Sequence, residues 1–260
     1  MLMKAPTLGA DSYILDLEDS VPEANKDEAR RTVVRLSDEL DWGSHELCVR
    51  INPRGSTHFA RDIAAVKKAK RIDCVVLPKA EGDCSIIHER AHRKVMPIIE
   101  TAAGFTSLRK VVRSRGVTAI SFGAADYAAS VGGDVSAYQD NETLKTIMVA
   151  AAADSGVDAI DNVFFDLVDL KGFRTQAETA RSLGFVGKQL VHPSQVSHAN
   201  NIFTPRRSEI EWAEKVVAAM GAAALGRRGA VRLGGSLVDA VHFRLANRLI
   251  ERAREAGLSA

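Results

Sequence analysis

Short β-rich runs alternate with longer amphipathic stretches along nearly all of this 260-residue chain. The strand candidates are residues 13–17, 46–51, 74–77, 95–99, 119–122, 159–163 and 186–191. Helical patterns cover 23–40, 57–69, 83–93, 104–113, 141–155, 170–183 and 194–203. Such alternation predicts βα units around a parallel sheet. It does not by itself separate an open doubly wound sheet from a closed (β/α)8 barrel.

Two features favour the α/β fold of a (β/α)8 TIM barrel. No GxGxxG follows the first strand, which removes the common nucleotide-binding reason for an open sheet. Polar residues also gather where the strands end: Asp16, Glu18 and Asp19, then Arg50 and Asn52, Lys79, Glu100, Asp126, Asp161 and Asn162, and finally Lys188, Gln189 and His192. In a barrel these positions converge on the C-terminal rim, where such folds keep their chemistry. Seven strand candidates stand where a barrel has eight, and the chain opens on a helical fragment at 2–8. The expected architecture is therefore a barrel lacking its first strand over 1–205, with a C-terminal helical arm or lid over 206–260. Within the arm, helices are expected at 208–224 and 237–255, joined by a flexible Gly- and Arg-rich link at 226–235 that could carry Arg227 and Arg228 toward an anion.

Composition narrows the function classes. The 35 Lys and Arg against 33 Asp and Glu nearly cancel, which argues against nucleic acid as a partner. No apolar run is long enough to span a membrane, and the N-terminus lacks the apolar stretch of a secretory signal. Cys48, Cys74 and Cys84 cannot all pair and show no metal spacing, so they read as reduced thiols of a cytoplasmic protein.

Glu100 and Asp126 carry the sharpest chemical signal. Both stand at strand ends, both have small residues beside them, and two carboxylates with little else suit Mg2+ or Mn2+ better than zinc. The plainer reading makes each a solvated acid or an ion-pair partner. Arg50 closes an otherwise apolar strand; it could fork onto a substrate carboxylate or pair with Asp16 or Glu18. In the DLEDSVP run, Glu18 and Asp19 look structural, locked by Lys26 and Arg30 on the helix that follows. His192 precedes Pro193 and reads as a rim hydrogen-bonder more than a base, and the other histidines read as surface residues.

Taken in order, LDLEDSVP, VRINP, LPKAE, PIIETAAG, FGAADYAASVG, AIDNVFFD and GFVGKQLVHPSQ resemble the HpcH/HpaI aldolase–citrate lyase β-subunit superfamily. The last segment, GRRGAVRLGGSLVDAVHFRLA, is similar to the arm of its acyl-CoA branch, the malyl-CoA and citramalyl-CoA lyases. The resemblance implies a (β/α)8 barrel that makes or breaks a carbon–carbon bond beside a bound Mg2+ or Mn2+. It places Glu100 and Asp126 as metal ligands, Arg50 on the substrate, and Val191 and His192 along the substrate pocket. It makes Asp239 an acid or base acting in a neighbouring subunit, which implies a homo-oligomer, a trimer or hexamer. The implied substrate is a β-hydroxyacyl-CoA thioester, cleaved to an oxoacid and an acyl-CoA. The family's opening strand and the basic residues after it have no counterpart here except Lys4, which matches a position that helps hold the CoA phosphates. That departure keeps in view an inactive paralogue serving as a binding or assembly subunit; within enzymes the alternative is a thioesterase for the same substrate, with water intercepting the thioester.

Overall fold

Seven parallel strands lie in the order in which the chain writes them: β1 (Ser12–Asp16), β2 (Glu46–Arg50), β3 (Cys74–Leu77), β4 (Lys94–Ile99), β5 (Ala119–Phe122), β6 (Asp158–Asp161) and β7 (Gly187–Lys188). This computed structural model describes residues 2–225 and 229–258. Every expected strand forms, each followed by helix, so the α/β barrel class holds. Sequential parallel order is what right-handed βα units produce when each strand is laid beside the last. Among the described residues β1 pairs only with β2 and β7 only with β6, so the ladder does not close. The opening fragment is a 3-10 helix, Leu2–Thr7, not a strand.

Alternation within the strands sets the two faces of the sheet. Cys48, Cys74, Val76, Met96 and Ile98 form one buried cluster, with Ala119 and Ile160 packed against it. Val49, Val75, Val95 and Ile99, on the other face of their strands, are fully buried. β1 departs from this pattern. Its Tyr13 and Leu15 are buried, yet Ile14 is 40% exposed although its register partner Cys48 is 1% exposed. The inner face of the sheet is thus open along β1.

The chain divides into two compact units, Met1–Ala199 and Asn200–Ala260. In the second, helix Arg207–Leu225 and helix Ala240–Glu255 enclose a core of Ala213, Val216, Val238, Ala246 and Ile250. Between them the structure corrects the expected link. Ala230–Leu233 (β8) and Ser236–Asp239 (β9) form an antiparallel hairpin, so the last helix begins at Ala240 and not at 237. Gly234 and Gly235, both at positive φ (54° and 88°), make the two-residue turn, a conformation that suits the twist of paired strands. Arg227 and Arg228 lie outside the described residues.

Smaller differences have local causes. The helix expected over 104–113 is two, Ala102–Thr106 and Leu108–Val112, broken at Ser107. β7 is shorter than 186–191 because Val191 turns its N–H to the Gln195 side chain. Two short helices, Ala124–Val131 and Val135–Gln139, were not expected from the pattern. No helix among the described residues is long and apolar enough to cross a membrane.

Candidate active site

The loop after β1 is held by groups other than its acids. The Lys26 ammonium, buried at the start of helix Lys26–Glu39, donates to the carbonyls of Leu17 (2.7 Å) and Glu18 (2.7 Å) and to Asn52 Oδ1 (2.8 Å). Asn52 is fixed in turn by Asp62 Oδ2, which accepts from its backbone N–H at 2.9 Å and its amide at 2.6 Å. Arg30 Nε meets the other Asp62 oxygen at 2.7 Å. The expectation that Lys26 and Arg30 neutralise Glu18 and Asp19 is corrected: they secure backbone and Asp62, leaving the carboxylates of the DLEDS run free to face the rim. His58, expected on the surface, is buried beside Arg30 and pairs with Glu23 at 2.6 Å.

Those carboxylates enter a row of alternating charge. Arg50 forks onto Asp16, Nε to Oδ1 at 2.7 Å and Nη2 to Oδ2 at 2.6 Å, and its Nη1 lies 3.1 Å from Glu18 Oε2. The other Glu18 oxygen accepts from Lys79 Nζ at 2.6 Å, and Lys79 Nζ stands 3.6 Å from Asp19 and 4.0 Å from Asp126. Burial alone would raise Asp16, but the Arg50 fork and the Ser20 and Glu18 donors hold it at about 2. Glu18 is 3% exposed, and burial pushes its carboxyl upward despite both cations. Lys79 itself has left-handed backbone, φ 49°, unusual without glycine.

Glu100 sits just past β4, 4% exposed, and accepts the backbone N–H of Lys79 at 2.6 Å. Burial drives its carboxyl up to about 8, and the charges of Asp126 and Glu18 add to the effect. Gly123, just past β5, lets the two strand ends meet: a Cβ there would fall 2.4 Å from Glu100 Oε2. Thr101 caps the next helix by accepting the Gly104 N–H at 2.9 Å, and a Cβ on Gly104 would lie 2.5 Å from the Ala80 carbonyl. The small residues flanking Glu100 therefore allow close backbone packing around a buried acid. Asp126 lies in the first turn of helix Ala124–Val131 with its side chain 45% exposed.

The structure thus brings together Arg50, Glu100 and Asp126 through Glu18 and Lys79. Lys79 and Glu18 were noticed in the sequence only as rim positions, one of them read as structural. Around them five acids (Asp16, Glu18, Asp19, Glu100, Asp126) face two bases (Arg50, Lys79). These oxygen donors, with Glu100 raised by burial and by the acids beside it, fit a divalent cation held by Glu100 and Asp126. A cation held by two carboxylates alone would keep positions for water and substrate.

Other expected rim residues stand elsewhere. Asp161 and Lys188 are fully buried side chains paired at 2.6 Å, and Asp161 also takes Lys145, from helix Glu142–Ser155, at 2.8 Å. Lys188 further donates to Gln176 of helix Leu170–Leu183, so this pair faces the helix layer and not the rim. Burial pulls the Lys188 ammonium down to about 8. Gln189 donates to Ser121 Oγ at 3.0 Å. Val191 is exposed, and His192, extended, caps the turn Pro193–Gln195 by accepting the Ser194 N–H. Lys4 is exposed in the opening 3-10 turn. In the second unit Asp239 caps helix Ala240–Glu255, accepting the N–H groups of Val241 (2.9 Å) and His242 (3.3 Å) and meeting the His242 ring at 2.8 Å. The His242 bond, with those two backbone donors, holds its carboxyl below the usual range.

Comparison with known proteins places this geometry. Residues 1–193 match the family described as HpcH/HpaI aldolase/citrate lyase. The L-malyl-CoA/beta-methylmalyl-CoA lyase of Cereibacter sphaeroides is 32% identical, over 96% of this chain and 89% of the relative. The mitochondrial citramalyl-CoA lyase of Mus musculus is 30% identical, over 97% and 82%. Among solved structures, the CitE protein of Mycobacterium tuberculosis in complex with magnesium, acetoacetate and coenzyme A superimposes with a TM-score of 0.80 at 32% identity, covering 96% of this chain and 92% of that one. With the motifs, the sequential parallel sheet and the acid-rich rim all in agreement, this chain belongs to the HpcH/HpaI aldolase/citrate lyase family.

Proposed function

We propose that this chain is a metal-dependent carbon–carbon lyase that cleaves a β-hydroxyacyl-CoA of the malyl, citramalyl or citryl type into an oxoacid and an acyl-CoA. The observation that carries the reading is the Glu100–Asp126 pair set beside Arg50 on one rim, in a chain about a third identical to named acyl-CoA lyases. Mg2+, or Mn2+ on the same ligands, would be held by Glu100 and Asp126 and would polarise the substrate oxygens at the bond that breaks.

Arg50 binds and orients. Its fork onto Asp16 and its contact with Glu18 leave one N–H on each terminal nitrogen for a substrate carboxylate or the developing alkoxide. Asp239 handles the proton at the thioester's α-carbon. Its lowered pKa keeps it a carboxylate near neutral pH, the form that takes the α-proton in condensation; in cleavage the substrate hydroxyl gives its proton to water, and Asp239, protonated from solvent beforehand, passes that proton to the enolate carbon and returns to the carboxylate. Val191 and His192 line the substrate, and Lys4 meets the CoA phosphates.

Residues 1–205 form the catalytic domain, and 206–260 form an arm that completes the site of a neighbouring subunit in a trimer or hexamer. Leu237, Val241 and Leu245 of the arm are exposed, as are Phe165, Leu167 and Val191 beyond β6 and β7, an apolar match for such docking. Three free, buried cysteines suit a reducing compartment, the cytoplasm.

Purified protein with Mg2+ is assayed against malyl-, β-methylmalyl-, citramalyl- and citryl-CoA, following oxoacid and free CoA separately. Oxoacid with an acyl-CoA is the expected result. Free CoA with an intact hydroxy acid would instead make the protein a thioesterase, and silence from folded protein would favour an assembly role. Asp239→Asn keeps a good helix cap and is expected to abolish turnover with Mg2+ binding unchanged; normal turnover would remove Asp239 from the mechanism.

A further inference from the structure

Lys79 stands against four of the five acids of the rim, Glu18, Asp19, Glu100 and Asp126. Its backbone N–H holds Glu100 at 2.6 Å, while its ammonium is bound to Glu18 at 2.6 Å and approaches Asp19 at 3.6 Å and Asp126 at 4.0 Å. Its left-handed backbone, φ 49°, is a conformation that a lysine adopts at some expense in energy unless the surroundings hold it there. The two grips differ in kind. The backbone bond to Glu100 is independent of the side chain; the ammonium sets a positive charge 4.0 Å from Asp126.

The distances are unequal in an informative way. At 2.6 Å the ammonium donates a hydrogen bond to Glu18, a buried carboxylate whose other oxygen is already taken by Arg50. At 4.0 Å from Asp126 it offsets that charge without closing a hydrogen bond. A lysine that collapsed onto Asp126 would compete with a metal for the ligand. A lysine anchored on Glu18 lowers the mutual repulsion of Glu18, Asp126 and Glu100 and still leaves Asp126 half open.

Resting on the metal-dependent reading above, we infer that Lys79 is a positioning residue: a placeholder charge, moored on Glu18, that keeps the metal-ligand acids assembled before the cation arrives without occupying their oxygens. Lys79→Met removes the placeholder and keeps the backbone bond to Glu100. Two opposed effects follow. The metal-free acids lose the compensating ammonium beside Asp126, and the incoming cation loses a like charge beside its ligand.

The test measures Mn2+ affinity by electron paramagnetic resonance, and Tm with and without saturating Mg2+, in wild type, Lys79→Met and Lys79→Arg. In Lys79→Met, Mn2+ is expected to bind about tenfold more tightly. The metal-free protein is expected to melt several degrees lower, and Mg2+ to raise its Tm by more than it raises that of wild type. Lys79→Arg, which keeps the charge, is expected to stay near wild type on both readouts. A purely structural Lys79–Glu18 pair would instead lower Tm equally with and without Mg2+ and leave Mn2+ affinity unchanged, and that result overturns the inference. Weaker Mn2+ binding in Lys79→Met overturns it too. If wild type binds Mn2+ but cleaves none of the thioesters, the lyase reading fails, and the Mn2+ and Tm comparison still decides the role of Lys79.

Discussion

At Gly123 a single hydrogen in place of a methyl group makes room for Glu100. A Cβ there would come within 2.4 Å of Oε2 and 2.5 Å of the Glu100 Cβ, distances no side chain tolerates. Because the blocking atoms belong to a buried carboxylate anchored by the Lys79 N–H, Gly123→Ala must rotate Glu100 off that donor. Mn2+ affinity is expected to fall by more than about tenfold, with a stability loss of about 1–3 kcal/mol typical of overpacking. Calorimetric titration with Mn2+ and urea unfolding check the two parts, and wild-type affinity would mean that Glu100 is not a ligand. Asp16 makes a different kind of prediction. Its carboxyl, at about 2 in the fold against 3.8 as reference, binds a proton more readily when unfolded. The stability it contributes, about 2 kcal/mol, is therefore fully present above the unfolded value and is lost as pH falls through the folded one. The gap between wild type and Asp16→Asn in urea unfolding should narrow by about half between pH 6 and pH 3. A gap constant over that range would mean that the Arg50 fork does not set the Asp16 pKa.

At the scale of elements, the parts that could be read from sequence were those with a period. Each of the seven strands is a run of apolar residues bounded by helical spacing, and all seven form within a few residues of where the pattern put them. Glu100 and Arg50 stood out for a related reason, a charge at the end of an apolar strand, and both do stand there, whereas Asp126 lies in the first turn of the helix after β5. Lys79 was harder. Its role depends on a left-handed turn at a non-glycine residue and on a partner, Glu18, 61 positions earlier, and neither fact is written locally. Asp161 and Lys188 misled because strand ends alone do not say which face a side chain takes. Their alternation with Ile160, which packs against the inner cluster, turns them toward the helices. The hairpin β8–β9 went unread although its signal was present. AVRL and SLVD flank a Gly-Gly pair, the short-range signature of a tight hairpin, and the arginines beside it drew attention to an anion site instead.

For the whole molecule, the proposed chemistry is divided between the two units, with Glu100 in one and Asp239 in the other. If the arm serves a neighbour, two dead variants should rescue each other. Glu100→Gln and Asp239→Asn homo-oligomers are expected to be inactive alone, and subunit exchange between them should restore a fraction of turnover by pairing an intact Glu100 with an intact Asp239. Light scattering gives the oligomer size in the same experiment, and no recovery after demonstrated exchange would place both residues in one subunit's site. The strand order carries a consequence of another kind. Each strand from β2 to β7 pairs with the strand synthesised just before it, so every new edge finds its template already on the nascent chain. The sheet can grow in the direction of translation, with little waiting for distant segments. The rim cannot: Glu18 emerges long before Lys79, and the Glu100–Asp126 pair is incomplete until about half the chain is made. Arg50 reaches Asp16 and Glu18 as soon as β2 pairs with β1, so the first loop meets its first cation with the first rung of the sheet and its second, Lys79, only after β3.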